Sequence, residues 1–231
     1  METILILHGW GSRAEKWSKV KKLLENHGYN VLVPDLPGFG ENPILSRPWS
    51  MDDYVGWVKE YCDKNNLFQI ILAGHSFGGG LAASFSSKFS GEIKKLILVD
   101  SAIIRVKYPQ MELLARIAKI LKVFSFLPFY KLIRKFFYKF VISDYVGLEG
   151  AMRETYLGVV KKDLSGCLSF ISVPTLLIWG KEDKITPLKD AWAIKERIVG
   201  SKIEIMPNVK HCPYLEAPEI LVEKIVNFIK L

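Results

Sequence analysis

The sequence has few cysteines and no long apolar run. Cys62, Cys167 and Cys212 are too few and too widely spaced for a disulfide framework or a zinc site. No apolar run reaches the roughly eighteen residues that a membrane-spanning helix requires. The first residues also lack the basic start and the small-residue cleavage site of a signal peptide. We therefore predict a cytoplasmic protein that needs no metal or other cofactor.

Acidic residues are scarce in one segment. The 231-residue chain has 32 Lys and Arg against 24 Asp and Glu, a net charge of +8. Residues 103 to 142 contain nine basic residues and one acid, Glu112, so the net charge of this segment equals that of the whole chain. Because the remainder of the chain is neutral overall, a uniformly basic nucleic-acid-binding protein is disfavoured.

Six short apolar runs recur along the chain, and helical patterns separate most of them. The runs are continuous rather than alternating, which indicates strands buried on both faces of a parallel sheet. The order of strands and helices predicts an α/β fold, in which ligands bind beyond the carboxyl ends of the strands. The predicted strands are residues 3–7, 30–33, 69–73, 95–99, 174–179 and 202–205.

Polar residues and prolines mark the expected helix starts. Ser12 and Ser50, each with an acid three residues later, and Thr186 are predicted to cap helices. Pro187 and Pro218 fit the first position of a helix. Between residues 103 and 165 there is helical pattern but no strand pattern, which predicts an insertion between the fourth and fifth strands.

One strand runs directly into Gly74-His75-Ser76-Phe77-Gly78, a G-x-S-x-G sequence that a helical pattern follows. In this setting the serine lies on a tight, strained turn with its hydroxyl exposed above the sheet. Side chains two residues before and after the serine would collide there, so glycine fits both positions. The five residues alone are weak evidence, but the strand and the helix around them make the serine a candidate nucleophile.

A serine nucleophile needs a base, and histidine is the usual base. Of the four histidines, His27 is expected at the exposed end of a polar helix. His75 is confined within the turn, and His8 is expected to support a loop by hydrogen bonding. His211 follows the last predicted strand, in a loop that can fold over the strand ends, and is therefore the predicted base.

The base needs an orienting acid, and the reaction needs donors for an oxyanion. Asp183 lies in the loop after the fifth predicted strand and is the predicted acid. Asp100 also ends a strand near the serine and is the alternative. The backbone N–H groups of Phe77 and Trp10 are the predicted oxyanion donors, while the Trp10 side chain is expected to anchor its loop.

These residues together resemble the α/β-hydrolase superfamily, in particular small serine carboxylesterases such as pimeloyl-carrier methyl esterases, and C–C hydrolases. The motifs that carry the resemblance are His8-Gly9-Trp10-Gly11, the sequence DLPGFG at 35–40, GHSFGG at 74–79, Trp179-Gly180 with Asp183 and Pro187, and His211 with residues 215–219. The resemblance implies an α/β-hydrolase fold of about six mostly parallel strands flanked by helices, with a triad of Ser76, Asp183 and His211. Haloalkane dehalogenases and epoxide hydrolases of this fold have aspartate in place of the serine and are disfavoured.

The sequence departs from the family pattern at three places. The family's first hairpin is missing, which leaves a sheet edge that a second copy in a homodimer could cover. Lys210 stands where the family often has glycine before the catalytic histidine. Three glycines follow Phe77 where two are usual.

The resemblance also implies that residues 103–165 form a helical cap on a core of residues 1–102 and 166–231. Lys131, Arg134, Lys135 and Lys139 share one helical face, opposite an apolar and aromatic face. The basic face is interpreted first as a solvated surface. The alternatives are docking of an acidic carrier protein or of an anionic membrane surface. The aromatic face predicts an apolar acyl pocket.

The predicted function is that of a serine hydrolase. It cleaves carboxylic esters with small to medium apolar acyl groups through an acyl-enzyme, and its substrate is a small-molecule ester. The alternatives are a C–C bond hydrolase of ring-cleavage products, a hydrolase of acyl esters on a carrier protein or a membrane surface, and a non-catalytic binding protein of the same fold.

Overall fold

The computed structural model describes residues 1–42, 44–105, 148–160 and 162–231. In this part of the chain, six strands form one sheet. They are β1 (Thr3–Leu7), β2 (Asn30–Leu32), β3 (Ile70–His75), β4 (Ile93–Val99), β5 (Thr175–Gly180) and β6 (Lys202–Met206). Their order is β2-β1-β3-β4-β5-β6, and every pair is parallel. The predicted strands and their parallel arrangement are confirmed.

Helices cover both faces of the sheet. In the described residues they are α1 (Ser18–Asn26), α2 (Met51–Lys64), α3 (Phe77–Lys88), α4 (Gly150–Val160), α5 (Leu188–Arg197), α6 (Pro213–Glu216) and α7 (Pro218–Ile229). Helices α1 and α7 contribute to the core on one face, and α2, α3, α4 and α5 to the core on the other. None of the helices within these described ranges is long and apolar enough to cross a membrane.

Burial on both faces explains the apolar strands. In β1, Leu5 and Leu7 belong to one core, whereas Ile4 and Ile6 belong to the other. All four side chains have no solvent exposure. Since burial of one such side chain contributes about 1.5–3 kcal/mol, both faces of the strand stabilise the sheet, and a polar residue on either face would be costly.

Two of the predicted helix starts are confirmed. The Ser50 hydroxyl accepts a hydrogen bond from the Asp53 N–H at 3.2 Å, and the Asp53 carboxylate accepts one from the Ser50 N–H at 2.7 Å. This reciprocal pair is a capping box at the start of α2. Pro218 is the first residue of α7, where its missing N–H costs no hydrogen bond.

The other predicted starts are wrong. The chain forms a 3-10 turn at Ala14–Trp17 before α1. The residue directly before this turn is Arg13, and the Ser12 side chain caps neither the turn nor α1. Pro187 is the residue before α5 rather than the first within it, and no side chain caps that helix. Thr186 instead directs its hydroxyl inward, toward Asp183.

The predicted insertion begins and ends at neighbouring points of the core. The N–H of Leu164 donates to the carbonyl oxygen of Ile103 at 3.0 Å, and helix α4 lies between them in sequence. The domain boundaries at 102 and 166 stay predictions. The predicted basic face with Lys131, Arg134, Lys135 and Lys139 lies outside the described residues.

The capping box at α2 predicts a measurable loss of stability. Replacement of Ser50 by Ala removes the acceptor for the Asp53 N–H and should lower the free energy of unfolding by about 1 kcal/mol. Ser46, four residues earlier, is also exposed, and Ser46→Ala is the matched control, with an expected change within about 0.5 kcal/mol. Urea unfolding of both variants measures the difference, and equal midpoints would contradict the cap.

Candidate active site

Ser76 lies between β3 and α3 in a strained backbone conformation. Its φ is 51° and its ψ is −116°, in a region that residues with a side chain rarely adopt. A Cβ at Gly74 would overlap the carbonyl oxygen of Gly78, and a Cβ at Gly78 would overlap the carbonyl oxygen of Leu7. The predicted tight turn and its need for glycine on both sides are confirmed.

The structure brings together the three side chains that the sequence singled out. His211 Nε2 lies 3.0 Å from Ser76 Oγ, and His211 Nδ1 lies 2.7 Å from Asp183 Oδ2. Ser76 follows β3, Asp183 follows β5 and His211 follows β6, so all three lie at the carboxyl edge of the sheet. The imidazole is 14% exposed, while the Asp183 side chain is fully buried. The arrangement can carry a proton from the serine to the imidazole.

Hydrogen-bond donors surround the Asp183 carboxylate. Oδ1 accepts from the N–H groups of Ile185 and Thr186, and Oδ2 accepts from the Thr186 hydroxyl and from His211. Burial alone would raise the pKa of the Asp183 carboxyl, but hydrogen bonds from His211 and Thr186 outweigh it and lower the pKa below its ordinary value. Asp183 is therefore a buried carboxylate that stays ionised.

Two contacts that the sequence did not predict hold the backbone around His211. A Cβ at Gly180 would overlap the carbonyl oxygen of Lys210, so the glycine lets this loop pass directly over the end of β5. The Glu216 carboxylate accepts hydrogen bonds from the N–H groups of Lys210 and Cys212, at 2.9 and 3.1 Å. Glu216 thus braces the loop on both sides of the imidazole. The only sequence signal was the place of both residues in the family motifs.

His75 supports the same loop from below. Its Nε2–H donates to the carbonyl oxygen of His211 at 2.7 Å, and its ring lies 4.9 Å from the His211 ring. Burial lowers the pKa of His75 to about 3, with a further lowering by His211. The ring is therefore neutral and serves as a fixed donor rather than as a base.

His8 has the supporting role that was predicted for it. Its Nδ1–H donates to the carbonyl oxygen of Gly9 at 2.8 Å, and its Nε2 accepts from the Leu36 N–H at 2.9 Å. Burial lowers the pKa of His8, so it too is neutral. These bonds join the loop after β1 to the loop that contains residues 35–40. His27, by contrast, is exposed at the end of α1, as predicted.

The loop after β1 lies directly against the serine. A Cβ at Gly9 would lie 3.3 Å from Ser76 Cβ. The Trp10 ring packs edge-on against Phe39, Phe77 and Tyr156, with ring centroids 4.9 to 5.4 Å apart. The predicted packing of the Trp10 side chain is thereby confirmed. Phe77 is the first residue of α3, so its N–H has no acceptor within the helix. The roles of the Trp10 and Phe77 N–H groups as oxyanion donors stay predictions.

The fold and the site geometry agree with a comparison to known families. The sequence model of the alpha/beta hydrolase fold matches residues 2–121, more than half of the chain. The chain therefore belongs to the α/β-hydrolase family.

Two curated relatives cover almost the whole chain. The pimeloyl-[acyl-carrier protein] methyl ester esterase of Wigglesworthia glossinidia brevipalpis is 28% identical over 252 residues, which cover 98% of this chain and 93% of the relative. The 2-hydroxy-6-oxononadienedioate/2-hydroxy-6-oxononatrienedioate hydrolase of Klebsiella pneumoniae is 25% identical over 256 residues, which cover 99% and 87%.

A solved structure has the same fold. The esterase from Exiguobacterium antarcticum superposes with a TM-score of 0.78 at 22% identity, and the match covers 100% of this chain and 92% of the esterase. At this level of identity the likeness concerns the fold alone.

The close backbone contact at Gly78 predicts that alanine is not tolerated there. Because the added Cβ would overlap the Leu7 carbonyl oxygen, Gly78→Ala should lower the free energy of unfolding by about 1–3 kcal/mol. Gly56 is the matched control, since it is an exposed residue of α2 with open space around it. Gly56→Ala should raise the free energy of unfolding by about 0.5–1 kcal/mol. Urea unfolding compares the two, and a Gly78→Ala protein as stable as the parent would contradict the proximity.

Proposed function

We propose that the protein is a serine hydrolase that cleaves carboxylic esters through an acyl-enzyme. The observation that carries this proposal is the continuous chain of contacts from Ser76 Oγ through His211 to Asp183. A hydroxyl, an imidazole and a buried carboxylate in this order are the parts that acyl transfer to serine requires.

In the proposed reaction His211 Nε2 removes the Ser76 proton as Oγ attacks the ester carbonyl. The N–H groups of Phe77 and Trp10 donate to the oxyanion that forms. His211 then gives its proton to the leaving alcohol. Water, deprotonated by the same imidazole, attacks the acyl-enzyme and releases the acid. Asp183 holds the Nδ1–H of the ring and stabilises the imidazolium.

The side chains next to the serine support an apolar acyl group. A continuous set of ring contacts lies beside the loop after β1 and joins Trp10 to Phe39, Phe77 and Tyr156. Trp10 and Tyr156 are only partly buried, and the apolar area that these two rings leave open favours small to medium apolar acyl chains. The relative from Wigglesworthia glossinidia brevipalpis, whose printed name is that of a methyl ester esterase, supports carboxylic esters as the substrate class.

A second candidate reaction is hydrolysis of a C–C bond in a ring-cleavage product. The relative from Klebsiella pneumoniae, whose printed name is that of a hydrolase of unsaturated dioic acids, favours it, and the proposed triad is common to both reactions. Comparison of kcat/KM for 4-nitrophenyl butyrate and for a vinylogous diketone acid separates the two, since the preferred substrate identifies the reaction.

Removal of the proposed nucleophile should abolish turnover. Ser76→Ala is expected to lower kcat for 4-nitrophenyl butyrate at least about a thousandfold, because it removes the hydroxyl that lies 3.0 Å from His211 Nε2. Ser90→Ala, at an exposed serine beyond the end of α3, is the matched control and should retain the parent rate. Turnover by Ser76→Ala equal to that of the control would refute the assignment and favour a binding protein.

The proposed base predicts the pH dependence. The rate constant kcat/KM should rise with pH, because only a neutral His211 ring accepts the serine proton. His8 and His75 add no further step, since burial lowers the pKa of both. Initial rates from about pH 5 to about pH 8 measure this, and a flat profile would exclude His211 as the base.

A further inference from the structure

A second buried carboxyl lies behind the Ser76–His211–Asp183 contacts. Asp100 follows β4 and has no solvent exposure. Its Oδ1 accepts a hydrogen bond from the Gly180 N–H at 2.9 Å. Its Oδ2 is buried, and none of the described residues donates to it. The Thr186 hydroxyl lies between Asp100 and Asp183: it is 3.1 Å from the Asp100 carbonyl oxygen and donates to Asp183 Oδ2, so the two acids are direct neighbours in this buried site. Two carboxyls are therefore buried side by side.

One shared proton resolves the contact. Two ionised carboxylates that are neighbours in a buried site would repel each other without solvent to screen them, so one of the pair must be protonated. Four donors hold Asp183 in its ionised form, one of them the imidazole of His211. Within the described part of the chain, one group donates to the Asp100 carboxyl, the Gly180 N–H on Oδ1. The proton therefore belongs on Asp100, whose Oδ2 is free to carry it.

We propose that Asp100 is a protonated carboxylic acid that donates a hydrogen bond to the Asp183 carboxylate, and that it is thereby a positioning residue for His211. The hydrogen bond adds a fifth donor to Asp183 and fixes the plane of its carboxylate against the imidazole. The catalytic part of this inference rests on the proposed function, whereas the protonation of Asp100 does not.

The groups around Asp100 agree with a neutral acid. Burial raises the pKa of Asp100 to about 9, against the lowering effect of the Gly180 N–H, and the nearby Asp183 and Glu216 raise it further. The third ionisable neighbour is the Cys212 thiol, and burial raises the pKa of Cys212 as well. Neutrality of Asp100 thus avoids a second buried negative charge beside Asp183.

Proton linkage to unfolding tests the protonation directly. Asp100→Asn is neutral, has the same shape, and can still accept from Gly180 and donate to Asp183. A native state that keeps the proton binds one more proton than the unfolded chain at pH values between the unfolded and folded pKa values, so its stability falls as pH rises. From about pH 5 to about pH 8, the unfolding constant of the parent should rise by up to about tenfold per pH unit relative to Asp100→Asn. Parallel pH dependence of the two proteins would overturn the proposal.

A spectroscopic measurement covers the case in which Asp100→Asn does not fold. In the parent labelled with [13Cγ]aspartate, one carboxyl signal should stay at its protonated position at pH 7 and shift only near pH 9. Asp190 is the competing source, since burial also raises its pKa, and Asp190→Asn is the control. If every aspartate signal that persists in Asp190→Asn is ionised at pH 7, the proposal fails.

The positioning role has its own readout in the pH–rate profile. Asp100→Leu removes the donor to Asp183, which then attracts the imidazolium proton more strongly. We expect the midpoint of the acid limb to move to higher pH and kcat to fall about tenfold. Asp100→Asn, which restores a donor, should return the midpoint toward that of the parent. Equal midpoints in the two variants would overturn the role in positioning. Absence of esterase activity in the parent would remove the proposed function but leave the linkage result unaffected.

Discussion

Direct contact between main chains at the carboxyl edge of the sheet is the constraint on which the site depends. Gly78 packs against the carbonyl oxygen of Leu7, and Gly180 packs against that of Lys210. Neither glycine has room for a Cβ. These approaches bring the turn at Ser76 and the loop of His211 to one point, where Oγ and Nε2 lie 3.0 Å apart. A shift of about 1 Å at either contact would separate Oγ from Nε2, and in the proposed reaction such a misplacement would be costly.

Placement of one negative charge in this buried edge requires a balance of donors. Asp183 keeps its charge because backbone amides, a hydroxyl and an imidazole all point at it. Among the residues that the structure describes, only the Gly180 N–H could stabilise a second charge on Asp100, which is far too little for a buried carboxylate. The two carboxyls are thus chemically alike, but in the proposal Asp183 is ionised and Asp100 is neutral. The number of donors around each carboxyl determines which of them is ionised.

Local signals predicted most of the fold and the proposed site residues. Apolar runs located the strands because the central ones, β1, β3 and β5, are buried on both faces and are almost wholly apolar. The roles of His75 and Glu216 were not predictable, because each binds backbone whose position only the tertiary structure determines; His75 and its partner His211 are 136 residues apart. Thr186 was misread as a helix cap for the same reason. Its hydroxyl has a buried carboxylate within reach, and a bond to a charged group is stronger than a bond to a backbone N–H.

Differences in exposure assign different tasks to chemically equal histidines. His8 and His75 are buried and make fixed hydrogen bonds, so neither can accept a proton without the cost of a buried charge. His211 has its backbone held by His75 and Glu216 but keeps part of its ring in contact with solvent. An imidazole that is fixed in position yet partly solvated can take up a proton beside Asp183 and release it again. The buried histidines therefore contribute rigidity, whereas His211, whose ring is partly exposed, fits the proposed role of base.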